Sequence, residues 1–153
     1  MKKKMVVLLL ISLGLLFSNL PAQAQQNKFG LGIILGEPTG LIAKYWTSRT
    51  TAFDVAGSWS FEGKNSFHLH ADYLFHSFNL IKVDRGKLPL YYGFGFRVSL
   101  KDDTRLGIRI PVGLSYMFEK TPIDIFMEVG PVMDVIPATE FRVSAFIGFR
   151  YYF

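Results

Sequence analysis

The stretch FHLHADYLFH, Phe67 to His76, decides the fold. Phe67, Leu69, Ala71, Tyr73 and Phe75 alternate with His68, His70, Asp72, Leu74 and His76. A period of two belongs to a β-strand, whose side chains point to opposite faces in turn. All three histidines of the chain fall here. They form either a metal or catalytic site, or the polar face of a strand whose other face must be apolar.

The same alternation recurs in both directions, giving eight segments separated by turn residues such as GEPTG, SRTT, EGKN, KDDT and EKTP. Before the stretch, Phe29, Leu31, Ile33 and Leu35 share a face. Leu41, Ala43 and Tyr45 oppose Ile42, Lys44 and Trp46, and Phe53, Val55, Gly57 and Trp59 oppose Asp54, Ala56 and Ser58. After it, Leu90, Tyr92, Phe94, Phe96 and Val98 oppose Tyr91, Gly93, Gly95 and Arg97. Leu106, Ile108, Ile110, Val112 and Leu114 oppose Arg105, Gly107, Arg109 and Gly113. Ile123, Ile125, Met127 and Val129 oppose Asp124, Phe126, Glu128 and Gly130. Last, Phe141, Val143, Ala145, Ile147, Phe149, Tyr151 and Phe153 oppose Arg142, Ser144, Gly148, Arg150 and Tyr152.

A soluble barrel would turn the large apolar residues inward and show Lys, Glu and Thr to water. Here the second face is glycine, serine and arginine, which suits a crowded interior. Reversed, the aromatic and aliphatic face meets lipid and the small and charged residues fill the lumen. Tyr45, Trp59, Tyr73, Tyr92 and Tyr116 then form interfacial girdles. Only a closed ring satisfies every backbone group in lipid. The expectation is an all-β fold, an eight-stranded antiparallel up-and-down transmembrane β-barrel whose polar lumen is filled by side chains.

The start of the chain agrees. MKKKMVVLLLISLGLLFSNLPAQAQ carries Lys2, Lys3 and Lys4, then an apolar run, then Ala22-Gln23-Ala24. That is the form of a secretory signal, expected to be cleaved after residue 24 to leave a barrel domain of residues 25–153. The formal charge of +5 loses three lysines with the leader, and 5 − 3 leaves +2. No basic cluster remains, so nucleic acid is not an expected partner. The absence of cysteine excludes a lipidated N-terminal cysteine, a disulfide framework and a thiolate metal site.

Lumen-facing charges nearly balance: Lys44, Arg97, Arg105, Arg109, Arg142 and Arg150 against Asp54, Asp72, Asp124, Glu128 and Glu140. Burying them singly costs several kcal/mol each, so a network of ion pairs is expected, with His68 and His70 inside it. Arginine suits this role because its fork holds several acceptors.

These patterns resemble the small eight-stranded outer membrane barrels typified by the transmembrane domain of outer membrane protein A. The closing FIGFRYYF, with Phe149, Tyr151 and Phe153 on one face, looks like the C-terminal signal of that class. GEPTGLIAKYW, HADYL and LGIRIPVGL are similar to segments of other small envelope barrels. The resemblance implies the outer membrane of a Gram-negative-type envelope, contact with outer membrane lipids, assembly by the barrel-assembly machinery through Phe149, Tyr151 and Phe153, and a monomer. Two departures stand out. Pro111 falls inside the sixth strand and predicts a bulge. Leu74 interrupts a polar face, and SFNLIKVDRGK is long for a periplasmic turn.

His68-x-His70 on a strand chelates zinc only if a neighbouring strand adds a ligand. Membership of the lumen network is the plainer account, and no metal or cofactor is expected. A lipid A-modifying hydrolase using His68, His70 or His76 with Ser58, Ser60, Ser66 or Ser115 is the competing reading. A soluble periplasmic ligand-binding barrel is a third. Alternation sends His68 and His70 into the lumen, away from lipid. The expectation is therefore a non-enzymatic barrel with a structural or envelope-maintenance role, its GPVMDVIPATE segment extending the last two strands as a cap.

Overall fold

The computed structural model describes residues 27–61 and 65–153. The expected leader lies outside the described residues, as does most of the EGKN turn. The strands are β1 (Phe29–Glu37), β2 (Thr39–Trp46), β3 (Thr51–Ser60), β4 (Ser66–Ser77), β5 (Leu90–Leu100), β6 (Thr104–Arg109), β7 (Val112–Met117), β8 (Ile123–Ile136) and β9 (Glu140–Tyr152). Each pairs antiparallel with its neighbours, β4 pairs with β5, and β1 pairs with β9 from Gly30–Tyr152 to Glu37–Ala145. β6 and β7 occupy one position, between β5 and β8, so the ring has eight places and no free edge.

The break between β6 and β7 is Ile110-Pro111, and here the expected bulge is corrected. Gly95 faces Arg109 and Tyr92 faces Val112 in one unbroken register, as do Arg109–Val132 and Val112–Val129 on the other side. Proline removes one ladder donor but its carbonyl still accepts from Gly93 N (3.0 Å), and Ile110 N donates to Pro131 O (3.0 Å). The register shift lies instead between Leu106 and Gly107, opposite Asp134 and Ile136. There the GPVMDVIPATE segment continues β8 and opens β9.

The fourth strand keeps its register to the end: Leu74 faces Gly93 and Ser77 faces Leu90. The long connection of residues 78–89 follows and is tied back by a bridge between Lys87 and Met117. Gly86 lies within it at φ 71°, a left-handed conformation that glycine adopts without a steric penalty.

The outside of the ring is apolar. Phe96, Leu41 and Val143 each expose 60% or more of their surface, whereas Lys44, Arg109, Asp124 and Arg150 expose 1% or less. Aromatic pairs cluster on the outside at the end carrying the termini: Phe53–Tyr73 at 4.6 Å, Tyr73–Phe75 at 5.1 Å, Tyr116–Phe118 at 5.0 Å and Tyr151–Phe153 at 5.1 Å. Trp59 and Phe67, 5.3 Å apart, mark the far end. The interior is not wholly polar, because Ile34, Ile42, Ala56, Leu74, Phe126 and Phe146 form a buried cluster around Tyr91. Leu74 is thus a packing residue of the lumen, which explains its place on a polar face.

Candidate functional site

The lumen is built by parity. On each strand the inward position alternates with an apolar outward one, so side chains distant in sequence converge along one axis. Near the terminal end, Arg150 donates from Nε to Asp124 Oδ1 (2.9 Å) and from Nη2 to Oδ2 (2.7 Å). This two-pronged pair is the strong form of a charge-assisted bond. Tyr152 and Ser115 each donate to Asp124 Oδ2 at 2.9 Å, and the Arg150 guanidinium lies 3.8 Å from the Phe126 ring centroid. Beside it, Lys44 Nζ is 2.8 Å from His76 Nε2 and 4.4 Å from the Trp46 ring centroid. His76 Nδ1 sits 3.1 Å from the Thr50 carbonyl. Only the tautomer with its proton on Nδ1 donates there and accepts from the lysine.

In the middle, Arg109 pairs through Nη2 with Glu128 and through Nε with Asp72 Oδ2 (3.0 Å). Tyr91 donates to Glu128 Oε2 at 2.8 Å. Asp72 lies on β4 directly opposite Asp54 on β3, and Gly95 of β5 flanks Asp72 on its other side. A Cβ at Gly95 would fall on the Asp72 carboxylate, and one at Gly113 would fall on the Tyr91 ring, so glycine makes the space both groups occupy.

At the far end, Arg97 donates to both oxygens of Asp134 (3.1 and 3.3 Å), and Arg142 Nε approaches the same carboxylate at 3.4 Å. Arg142 and Arg105 both donate to Glu140 Oε2 at 2.8 Å. These last three side chains are partly open to solvent.

Of the charged residues expected in the lumen, Lys44, Asp54, His70, Asp72, Arg109, Asp124, Glu128 and Arg150 are enclosed, and His68 and Arg97 are buried towards the far end. Arg105 and Arg142 belong to the rim with Glu140. Asp134 joins the enclosed residues, since it continues the parity of Asp124 and Glu128 into the GPVMDVIPATE segment, whose expected role is a cap. Tyr91, Ser115 and Tyr152 join as ligands of carboxylates, a role the sequence does not mark. The serine and histidine candidates meet once, at Ser66 Oγ and His68 Nε2, 3.0 Å apart. His68 Nδ1 has no hydrogen-bond partner, so no third group orients that imidazole as a base.

An eight-place closed ring, apolar outside and charged inside, defines the architecture of the transmembrane β-barrels. The crystal structure of the N-terminal β-barrel domain of Pseudomonas aeruginosa OprF has this fold. It matches with a TM-score of 0.67 over 84% of this chain and 98% of that one, at 13% sequence identity. No protein-family model matches the chain, and no curated protein matches it in sequence.

Proposed function

We propose that this protein is a monomeric, non-enzymatic outer membrane barrel that maintains the envelope and whose polar lumen is closed. The observation that carries the reading is the inversion of polarity: aromatic and aliphatic side chains project outward while the paired charges are enclosed. Such an exterior is stable only against lipid. The bonded Arg150–Asp124 and Arg109–Glu128 pairs and the Phe126 and Phe146 rings are buried inside the ring, which supports a closed lumen. The resemblance of FIGFRYYF to an assembly signal supports delivery by the barrel-assembly machinery, with Phe149, Tyr151 and Phe153 on the lipid face.

In cells of a Gram-negative type, the protein should stay in the membrane fraction after carbonate washing and migrate faster before boiling than after. In planar bilayers it should give no stable conductance. Carbonate release as a soluble monomer would overturn the membrane location, and reproducible channel steps would overturn the closed lumen. The Ser66–His68 contact is the observation that favours a lipid A hydrolase. Replacing His68, His70 and His76 together with alanine should leave the mass spectrum of lipid A unchanged, and a lost acyl-chain modification would establish the enzyme instead.

A further inference from the structure

We propose that Asp54, His70 and Asp72 form a divalent-cation site of the zinc class inside the lumen. Asp54 and Asp72 face each other across the β3–β4 ladder, where opposite side chains lie close and like charges repel. Each of the other enclosed carboxylates has its own cation: Asp124 has Arg150, and Glu128 has Arg109 with Tyr91. Lys44, although directly opposite Asp54 in the β2–β3 register, carries its ammonium to His76 and Trp46. Of the cations among the described residues, Arg109 alone reaches this pair, and it does so through Nε on Asp72 Oδ2 and not on Asp54.

Asp54 is 1% exposed, and neither of its oxygens has a hydrogen-bond partner; nor has His70 Nε2, on a side chain 3% exposed. Ligand atoms of the three residues lie within 4.8 Å of one another, and His70 Nε2 is 3.7 Å from Asp72 Oδ2. In a tetrahedral zinc site, with bonds of about 2.0–2.2 Å, neighbouring ligand atoms are about 3.4 Å apart. Small side-chain rotations therefore bring the set to bonding distance. Two carboxylates and one imidazole offer a −2 oxygen pair and a borderline nitrogen, which suits a first-row divalent ion better than calcium. The second carboxylate oxygens supply the fourth position.

With the ion on Nε2, His70 Nδ1 carries its proton, and the long 3.4 Å approach of Arg109 Nη1 is relinquished while the Glu128 pair holds. His68 takes no part, since its Nε2 is engaged by Ser66.

The test uses the untagged, folded barrel in detergent, stripped with a chelator and then loaded with zinc or cobalt. Wild type should retain a single zinc per chain through gel filtration. Its cobalt form should show the visible bands of a four-coordinate site with a nitrogen ligand. Asp54→Asn and His70→Gln, with folding verified by heat-modifiable mobility, should each weaken zinc binding by on the order of 10–100-fold or more. Glu140→Gln at the rim should bind as wild type does. A zinc-free wild type without cobalt bands overturns the site, as does retention of zinc by both variants. If wild type binds no metal and Asp54→Asn melts no lower than wild type, the two carboxyls share a proton instead. The cobalt spectrum decides on the wild type alone should a variant fail to fold.

Discussion

Arg150 and Arg142 each reach a carboxylate from β9, and their hydrogen-bond lengths differ little: 2.7 Å from Arg150 Nη2 to Asp124, 2.8 Å from Arg142 Nη2 to Glu140. Their surroundings differ entirely. The Arg150 and Asp124 side chains are sealed from solvent, whereas Arg142 and Glu140 expose 45% and 47% of theirs. In water, charge is solvated whether or not it is paired, and an exposed pair adds little. Inside the lumen, each partner stands in for the water the other has lost, so the value of a pair lies mainly in what its loss leaves behind. One motif, repeated along one strand, is thus structural at one end of the barrel and nearly neutral at the other.

The largest effect should come from Asp124→Ala. It strands Arg150, which cannot shed its proton, and also deprives Tyr152 and Ser115 of their acceptor. A loss of about 3–5 kcal/mol is expected, read as a fall in the urea midpoint of folding into lipid vesicles. A midpoint like that of wild type would show that water reaches Arg150 and that the two ends are alike.

Arg109→Ala should follow. It strands Asp72 and Glu128, the two carboxylates that the guanidinium bridges. The unfolding temperature should fall markedly, though by less than for Asp124→Ala. An unchanged unfolding temperature would show that water reaches both carboxylates. The smallest effect belongs to the rim: Glu140→Gln should leave the temperature of heat-modifiable unfolding unchanged. Raising the salt to 1 M, where the Debye length is about 3 Å, should likewise leave the enclosed pairs intact. A clear drop for Glu140→Gln would promote the far end to a structural network.

Parity made most of this legible in sequence. Once Phe67, Leu69 and Tyr73 were placed outward, His68, His70 and Asp72 had to point inward, and the same step placed Lys44, Arg109, Asp124 and Arg150. Partner choice was not legible, because strand order and stagger, not spacing along the chain, decide which of several inward groups meet. Arg97 finds Asp134, on a segment assigned to a cap, and Lys44 bypasses its cross-strand neighbour Asp54 for His76. Pro111 taught the converse. Its missing donor was evident, but in-register ladders on both sides hold the strand straight across it, and the bulge forms where Val135 is passed over opposite Leu106 and Gly107.

The pairing of β1 with β9 carries a consequence for how the chain comes to exist. Gly30 and Tyr152 are neighbours in the closed ring yet stand at opposite ends of the described barrel. Every other adjacent pair of strand positions, with β6 and β7 counted as one, is joined by a short segment or by the long connection of residues 78–89. The closing seam has to wait for the last strand to arrive. Until then two ladder edges are open, and contacts so distant in sequence form slowly. The chain must therefore be kept from pairing with its own copies during that interval, which makes the time to closure, and not the strength of the finished barrel, its point of greatest exposure.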